Sequence, residues 1–181
     1  MSNAPHLYRD LITLFNECFA DAYNTRLVKG GDEPIYLPAD EKRDYHAIYF
    51  AHGYYSSGLH EISHWLIAGD ERRKLEDFGY WYVPDGRTAE QQKIFEQVEI
   101  KPQAIEWILS VAAGYHFHIS ADNLNGEATD ASEFKQAVFA QVRIYRKQGL
   151  PERAEQLRSK LSHFYGTPDY ISSECFDFSS I

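Results

Sequence analysis

Leu59-His60-Glu61-Ile62-Ser63-His64-Trp65-Leu66-Ile67 carries the pattern H-E-x-x-H within an otherwise apolar run. Residues i and i+4 of an α-helix lie one above the other, so His60 and His64 can turn both imidazoles toward one ion. Glu61 falls at the rim of that face, in place to handle a proton or to hydrogen-bond beside the ion. Leu59, Ile62, Leu66 and Ile67 give the helix a second, buried side, and Gly69 ends it. The same reading starts the helix near Gly58, with Ser56 or Ser57 as its cap. Three fixed letters recur by chance, so this context carries the weight. The bland alternative, two hydrogen-bonded helix histidines beside an incidental glutamate, gives no reason for two polar rings on so apolar a helix.

A third ligand must come from outside the run. The extended zincin pattern is absent, because Ile67 and Asp70 stand where it needs Gly and His. Glu96, Glu99 and Glu106 further along remain open, as do the nearer Asp70, Glu71 and Asp77. Glu99 has one local argument: it lies between Val98 and Ile100, and a charge among core residues needs a partner such as a cation. Two histidines and a carboxylate suit Zn²⁺ in a hydrolase and Fe(II) in an oxygenase, and the ligands alone do not choose.

Around this helix, Leu11, Leu14, Phe15, Cys18, Phe19 and Ala22 recur at helical spacing within residues 8–22. Residues 26–28, 34–38 and 46–51 read as short extended pieces, and residues 70–77 as a short helical one. Residues 78–83 read as an aromatic strand, followed by a turn at Pro84-Asp85-Gly86. Thr88 with Glu90-Gln91 opens a helix whose apolar face is set by Ile94, Val98, Ile105, Ile108 and Ala112; Pro102 either kinks it or restarts it. Two more helices are expected over residues 134–145 and 152–164. The fold class expected is α+β: a mostly helical domain with a small sheet beside the H-E-x-x-H helix and a zincin-like active-site arrangement. With 181 residues and no linker or repeat, residues 1–181 are expected to form a single domain.

Composition narrows the function classes. A 44% apolar and 15% aromatic chain is built to fold, and only Cys18 and Cys175 are present, so cysteine does not hold the metal. A net charge of −9 argues against a partner gripped through nucleic-acid phosphates. No apolar run is long enough to span a bilayer and the first residues lack the features of a secretion signal, so a cytoplasmic location is expected.

The chain resembles the elongation factor P hydroxylases along nearly its whole length. The resemblance rests on Cys18-Phe19-Ala20-Asp21, Asn24-Thr25-Arg26-Leu27, residues 32–40, Phe50-Ala51-His52-Gly53 and above all His60-Glu61-Ile62-Ser63-His64-Trp65. It continues through residues 77–82, 84–87, Val98-Glu99, residues 101–104, Ala112-Ala113-Gly114-Tyr115, Asp122-Asn123-Leu124 and Pro151-Glu152-Arg153. The resemblance implies a non-haem Fe(II) monooxygenase that uses O₂ on a lysine of elongation factor P, at a loop tip, after that lysine has received a β-lysyl extension. It also implies His60, His64 and Glu99 as the metal ligands. Glu61 is then a group beside the metal rather than a hydrolytic base; a zinc peptidase using Glu61 as base is the alternative. Asp77, Tyr80 and Tyr82 are expected to line the approach to the ion, since alternation sets the two tyrosines on one face of the aromatic segment, and Asp85 is a second acidic residue expected there.

Overall fold

The computed structural model describes residues 5–77, 86–121, 130–169 and 172–181. Helix α1, Tyr8–Tyr23, buries Leu11, Leu14, Phe15 and Phe19, the stripe its sequence spacing dictates. It stops where Asn24 turns left-handed at φ 47°, a conformation that a short polar side chain tolerates. Strand β1, Thr25–Lys29, follows directly, then β2, Ile35–Leu37, and β3, His46–Phe50. β3 is central: β1 runs parallel to it, with Leu27 opposite Ile48, and β2 runs antiparallel, with Tyr36 opposite Ile48. Beyond β2, Tyr36 exchanges two backbone hydrogen bonds with Asp77 and anchors that residue at the sheet edge.

Helix α2, Tyr55–Ile67, carries the H-E-x-x-H run. It starts three residues before Gly58, and no side chain caps it; the Ser57 hydroxyl instead accepts from the Ala51 amide and ties the helix start to the end of β3. Gly58 lets α2 approach α1, because a Cβ there would stand 2.7 Å from Leu11 Cδ2. Residues 70–77 form only a short 3₁₀ turn, Arg72–Lys74. Residues 78–85 lie outside the described residues, and with them the expected aromatic strand, Tyr80, Tyr82 and Asp85.

Helix α3, Ala89–Ala113, is one element through Pro102. Thr88 and Gln91 form the reciprocal cap at its start. In its first turns the buried face is not the one the apolar spacing indicates, since Ile94 is exposed while Gln92, Phe95 and Glu99 are buried; beyond Pro102 the expected Ile105, Ile108 and Ala112 are buried, together with Gln103 and Glu106. Helices α4, Ser132–Gln148, and α5, Glu152–Tyr165, pack against its outer and C-terminal parts. One apolar cluster joins α1, the sheet, α2, the end of α3 and α5; a second gathers Trp107, Phe117, Phe134, Val138 and Phe176 between α3 and α4.

This architecture corrects the α+β expectation built on a zincin-like arrangement. The chain is mostly helical with a small three-stranded sheet, and the residues able to hold a metal, His60, His64 and Glu99, are scattered over two helices rather than contained in a contiguous H-E-x-x-H motif. The run supplies two donors, and the packing of α3 along α2 decides where the third comes from.

Candidate metal centre

His60 and His64 sit one turn apart on α2 and aim their Nε2 atoms at a common point, 3.3 Å from each other. Glu99, buried on α3, faces them with both carboxylate oxygens, 3.1 Å from His64 Nε2 and 3.7 Å from His60 Nε2. One donor atom from each residue falls within 4.8 Å of the others. Ligands sharing one ion at ordinary bond lengths stand roughly 3.0–3.4 Å apart. Two of the three separations match, and the third needs a few tenths of an ångström of rotation by Glu99. Two imidazole nitrogens and one carboxylate make a donor set suited to Fe(II) as well as to Zn²⁺.

The surrounding contacts fix these donors. His60 Nδ1 lies 2.8 Å from Glu106 Oε2, two helical turns beyond Glu99 on α3. A carboxylate there keeps the proton on Nδ1 and leaves Nε2 free to bind an ion. Gln103 donates from Nε2 to Glu99 Oε2 at 3.3 Å and to the Ser120 carbonyl at 2.7 Å, while its own Oε1 accepts from the Ser120 amide at 3.0 Å. Glu99 is thereby held by a side chain that is itself locked to the segment after α3.

Charge at the centre is unbalanced in the direction a cation would correct. Burial by itself would depress the His60 imidazolium, but the charge of Glu106 with its hydrogen bond, then Glu99 and Glu61, outweigh burial and raise its pKa to about 10. Burial holds the Glu61 carboxyl above its ordinary range, against the pull of His60 and His64. The same carboxylates that raise the His60 pKa favour a cation among the three donors.

The other sequence candidates separate cleanly. Glu96 accepts from Gln92, Asp70 pairs with Arg73, Glu71 with Lys74, and Asp77 with Arg72 at 2.7 Å. Glu61, buried on α2, lines a small cavity together with His64 and Asp77. The reading from sequence gave Gln103 no role and weighed Glu106 as a ligand. A signal for both was present: Glu99, Gln103 and Glu106 follow at +4 and +7, a polar stripe on one helix face.

Comparison with known proteins places the chain in a family. The family model described as elongation factor P hydroxylase matches residues 14–176. A Haemophilus influenzae protein described as elongation factor P lysine hydroxylase is 62% identical over 176 residues, which cover 97% of this chain and 99% of that protein. With a match over most of its length and this identity to a full-length relative, the chain belongs to the elongation factor P hydroxylase family.

Proposed function

We propose that this chain is an Fe(II)- and O₂-dependent protein-lysine monooxygenase that hydroxylates a β-lysylated lysine side chain of elongation factor P. The observation that carries this reading is the convergence of His60, His64 and Glu99 in a chain of that family. The residues present fit the ion, and when bound it supplies the ability to activate O₂ toward an unreactive C–H bond. The chain's own residues do the rest. Glu106 holds the His60 proton at Nδ1, Gln103 fixes the Glu99 carboxylate, and burial of Glu99 beside α2 keeps bulk water from competing for its oxygens.

Residues 1–181 act as one hydroxylase domain, with the loop of elongation factor P that bears the lysine as its docking partner. The described residues contain no helix long and apolar enough to cross a membrane, and we place the protein in the cytoplasm with the translation machinery. Asp77, with Tyr80 and Tyr82, is assigned to the approach of the substrate. The test is mass spectrometry of intact elongation factor P after incubation with the iron-loaded protein, O₂ and a reductant. An added oxygen on an intact chain is expected; an unmodified or cleaved factor overturns the reading. No observation favours the peptidase alternative.

A further inference from the structure

Residues 116–119 follow α3 as an extended stretch that belongs to no strand of the sheet. Both ends of this stretch are fixed. The Tyr115 amide donates to the Ser110 carbonyl at 2.8 Å, and Gln103 holds Ser120 by both its amide and its carbonyl. Between these anchors the side chains alternate as they do on a strand. Phe117 is buried and stacks on Trp107, while His116 and His118 are exposed with ring centroids 4.3 Å apart. Yet among the described residues the main-chain N–H and C=O groups of residues 116–119 have no hydrogen-bond partner. They form a strand edge that is held in place and left unpaired, a template for one more strand.

The edge borders a cleft of about 360 Å³, lined also by Ser56, Ser57 and His60 of α2 and by Glu106 and Ser110 of α3. His60 is one of the three donors of the metal centre, so the cleft adjoins that centre directly. At the far end of the edge, Gln103 bonds both Ser120 and Glu99, which ties the edge to a second donor. Hydroxyls, imidazoles and a carboxylate make these walls polar. What the cleft leaves unsatisfied is peptide main chain, and its complement is another main chain in extended form. Resting on the hydroxylase reading above, we infer that residues 116–119 pair by strand addition with an extended segment of the protein substrate, the main chain beside the target lysine. Such pairing fixes direction and register, and register decides which substrate side chain is presented at the metal centre. The lysine is then selected by its place along the chain rather than by the end of its side chain, so the same docking serves an acylated lysine.

The test reads main-chain amide exchange by nuclear magnetic resonance, so that it does not depend on turnover. The full chain is loaded with redox-inert Zn²⁺ and compared with and without full-length elongation factor P. Successive amides of a strand point to opposite edges, so an added strand protects every second one. Saturating factor should slow exchange about tenfold or more either at His116 and His118 or at Phe117 and Ile119, one pair and not the other. Of His118→Pro and Ile119→Pro, the one that removes a protected N–H should weaken binding about tenfold, the worth of one hydrogen bond. The alanine variant at that position keeps the N–H and should bind within about threefold of the wild type. Unchanged exchange at all of residues 116–119, or equal protection of both pairs, overturns the inference. Protection that rises with the concentration of the chain without any factor overturns it too, because a second copy then occupies the edge. Failure of the iron-loaded wild type to hydroxylate the factor, with one alternate pair still protected, overturns the functional reading and leaves the docking in place.

Discussion

The two halves of α3 bury opposite chemistry on one continuous helix. As far as Glu106 it turns Gln92, Glu99, Gln103 and Glu106 inward beside Phe95 and Ile105, while its last two turns bury Ile108, Leu109, Ala112 and Ala113. The first half is satisfied by named partners: Gln92 by Arg87, Glu96 and Ala121, Gln103 by Ser120, and Glu106 by His60. The second is satisfied by packing alone, in both apolar clusters. Buried polar groups gain little net stability over an apolar replacement. The polar stretch is therefore better explained by the metal centre proposed for it than by stability, and the apolar turns hold the helix in place.

Substitutions in the two halves should separate function from stability. The largest effect belongs to Glu99→Ala, which removes a ligand and leaves two histidines on one helix turn. Metal content after dialysis and hydroxylation of elongation factor P should both fall to background, while far-ultraviolet circular dichroism stays that of the folded chain, because apolar packing supplies the core. A variant that retained stoichiometric metal would remove Glu99 from the centre. Next in size is Ile108→Ala in the other half. It should cost about 2–5 kcal/mol in urea unfolding through the cavity it leaves, yet the fraction still folded should bind metal as the wild type does. Loss of metal in proportion beyond unfolding would show that the halves are not separable.

The same contrast explains what sequence alone reveals. Helix α1 and most of α2 follow from apolar spacing, because there the buried face is mainly the apolar face, and the strand beginning at His46 follows from its β-branched and aromatic content. In the first turns of α3 the rule fails: Gln92 and Glu99 are buried where Ile94 is exposed, so Ile94 marks the wrong side, and the roles of Gln103 and Glu106 go unseen. Burial of a polar residue depends on a partner distant in sequence, such as His60, 46 residues from Glu106. No local window contains that information. Glu99 is one of several open carboxylates in a local reading for the same reason, and only the family resemblance singles it out. The serine cap expected for α2 failed in a related way, since Ser57 turns back to the Ala51 amide rather than to its own helix.

Glu106→Gln sharpens the boundary between the halves. Glutamine keeps an oxygen to accept from His60 Nδ1 but removes the charge, so His60 should remain oriented and become less basic. Metal affinity should fall by about 10- to 100-fold, the usual range for altering the partner of a ligating histidine, with little change in the unfolding midpoint. Competition with a fluorescent chelator measures it, and an unchanged affinity would reduce Glu106 to packing.

The smallest effect is a pH dependence of the metal-free protein. In that state the His60 pKa is raised to about 10, well above its ordinary value, chiefly because Glu106, Glu99 and Glu61 overcome the opposing cost of burial. A group whose folded pKa exceeds its unfolded value binds its proton more tightly in the folded state. The resulting stability is fully present below the unfolded pKa of about 6.5 and is lost as pH rises through the folded value. Melting temperature of the chelator-treated protein should therefore decline between pH 7 and pH 10. The metal-loaded protein should decline less, because its ligands bind the ion as neutral imidazoles and no proton remains to be released from His60. The gap between the two forms should thus widen with rising pH, since fewer protons compete with the ion. Other groups titrate in this window, so the comparison that isolates His60 is between wild type and Glu106→Gln, where the decline should be shallower. Melting curves for both proteins with and without metal, at half-unit steps of pH, measure it. If the metal-free wild type melted no lower at pH 10 than at pH 7, or if Glu106→Gln followed the same curve, a proton on His60 would not be what answers the charge of these carboxylates after metal removal.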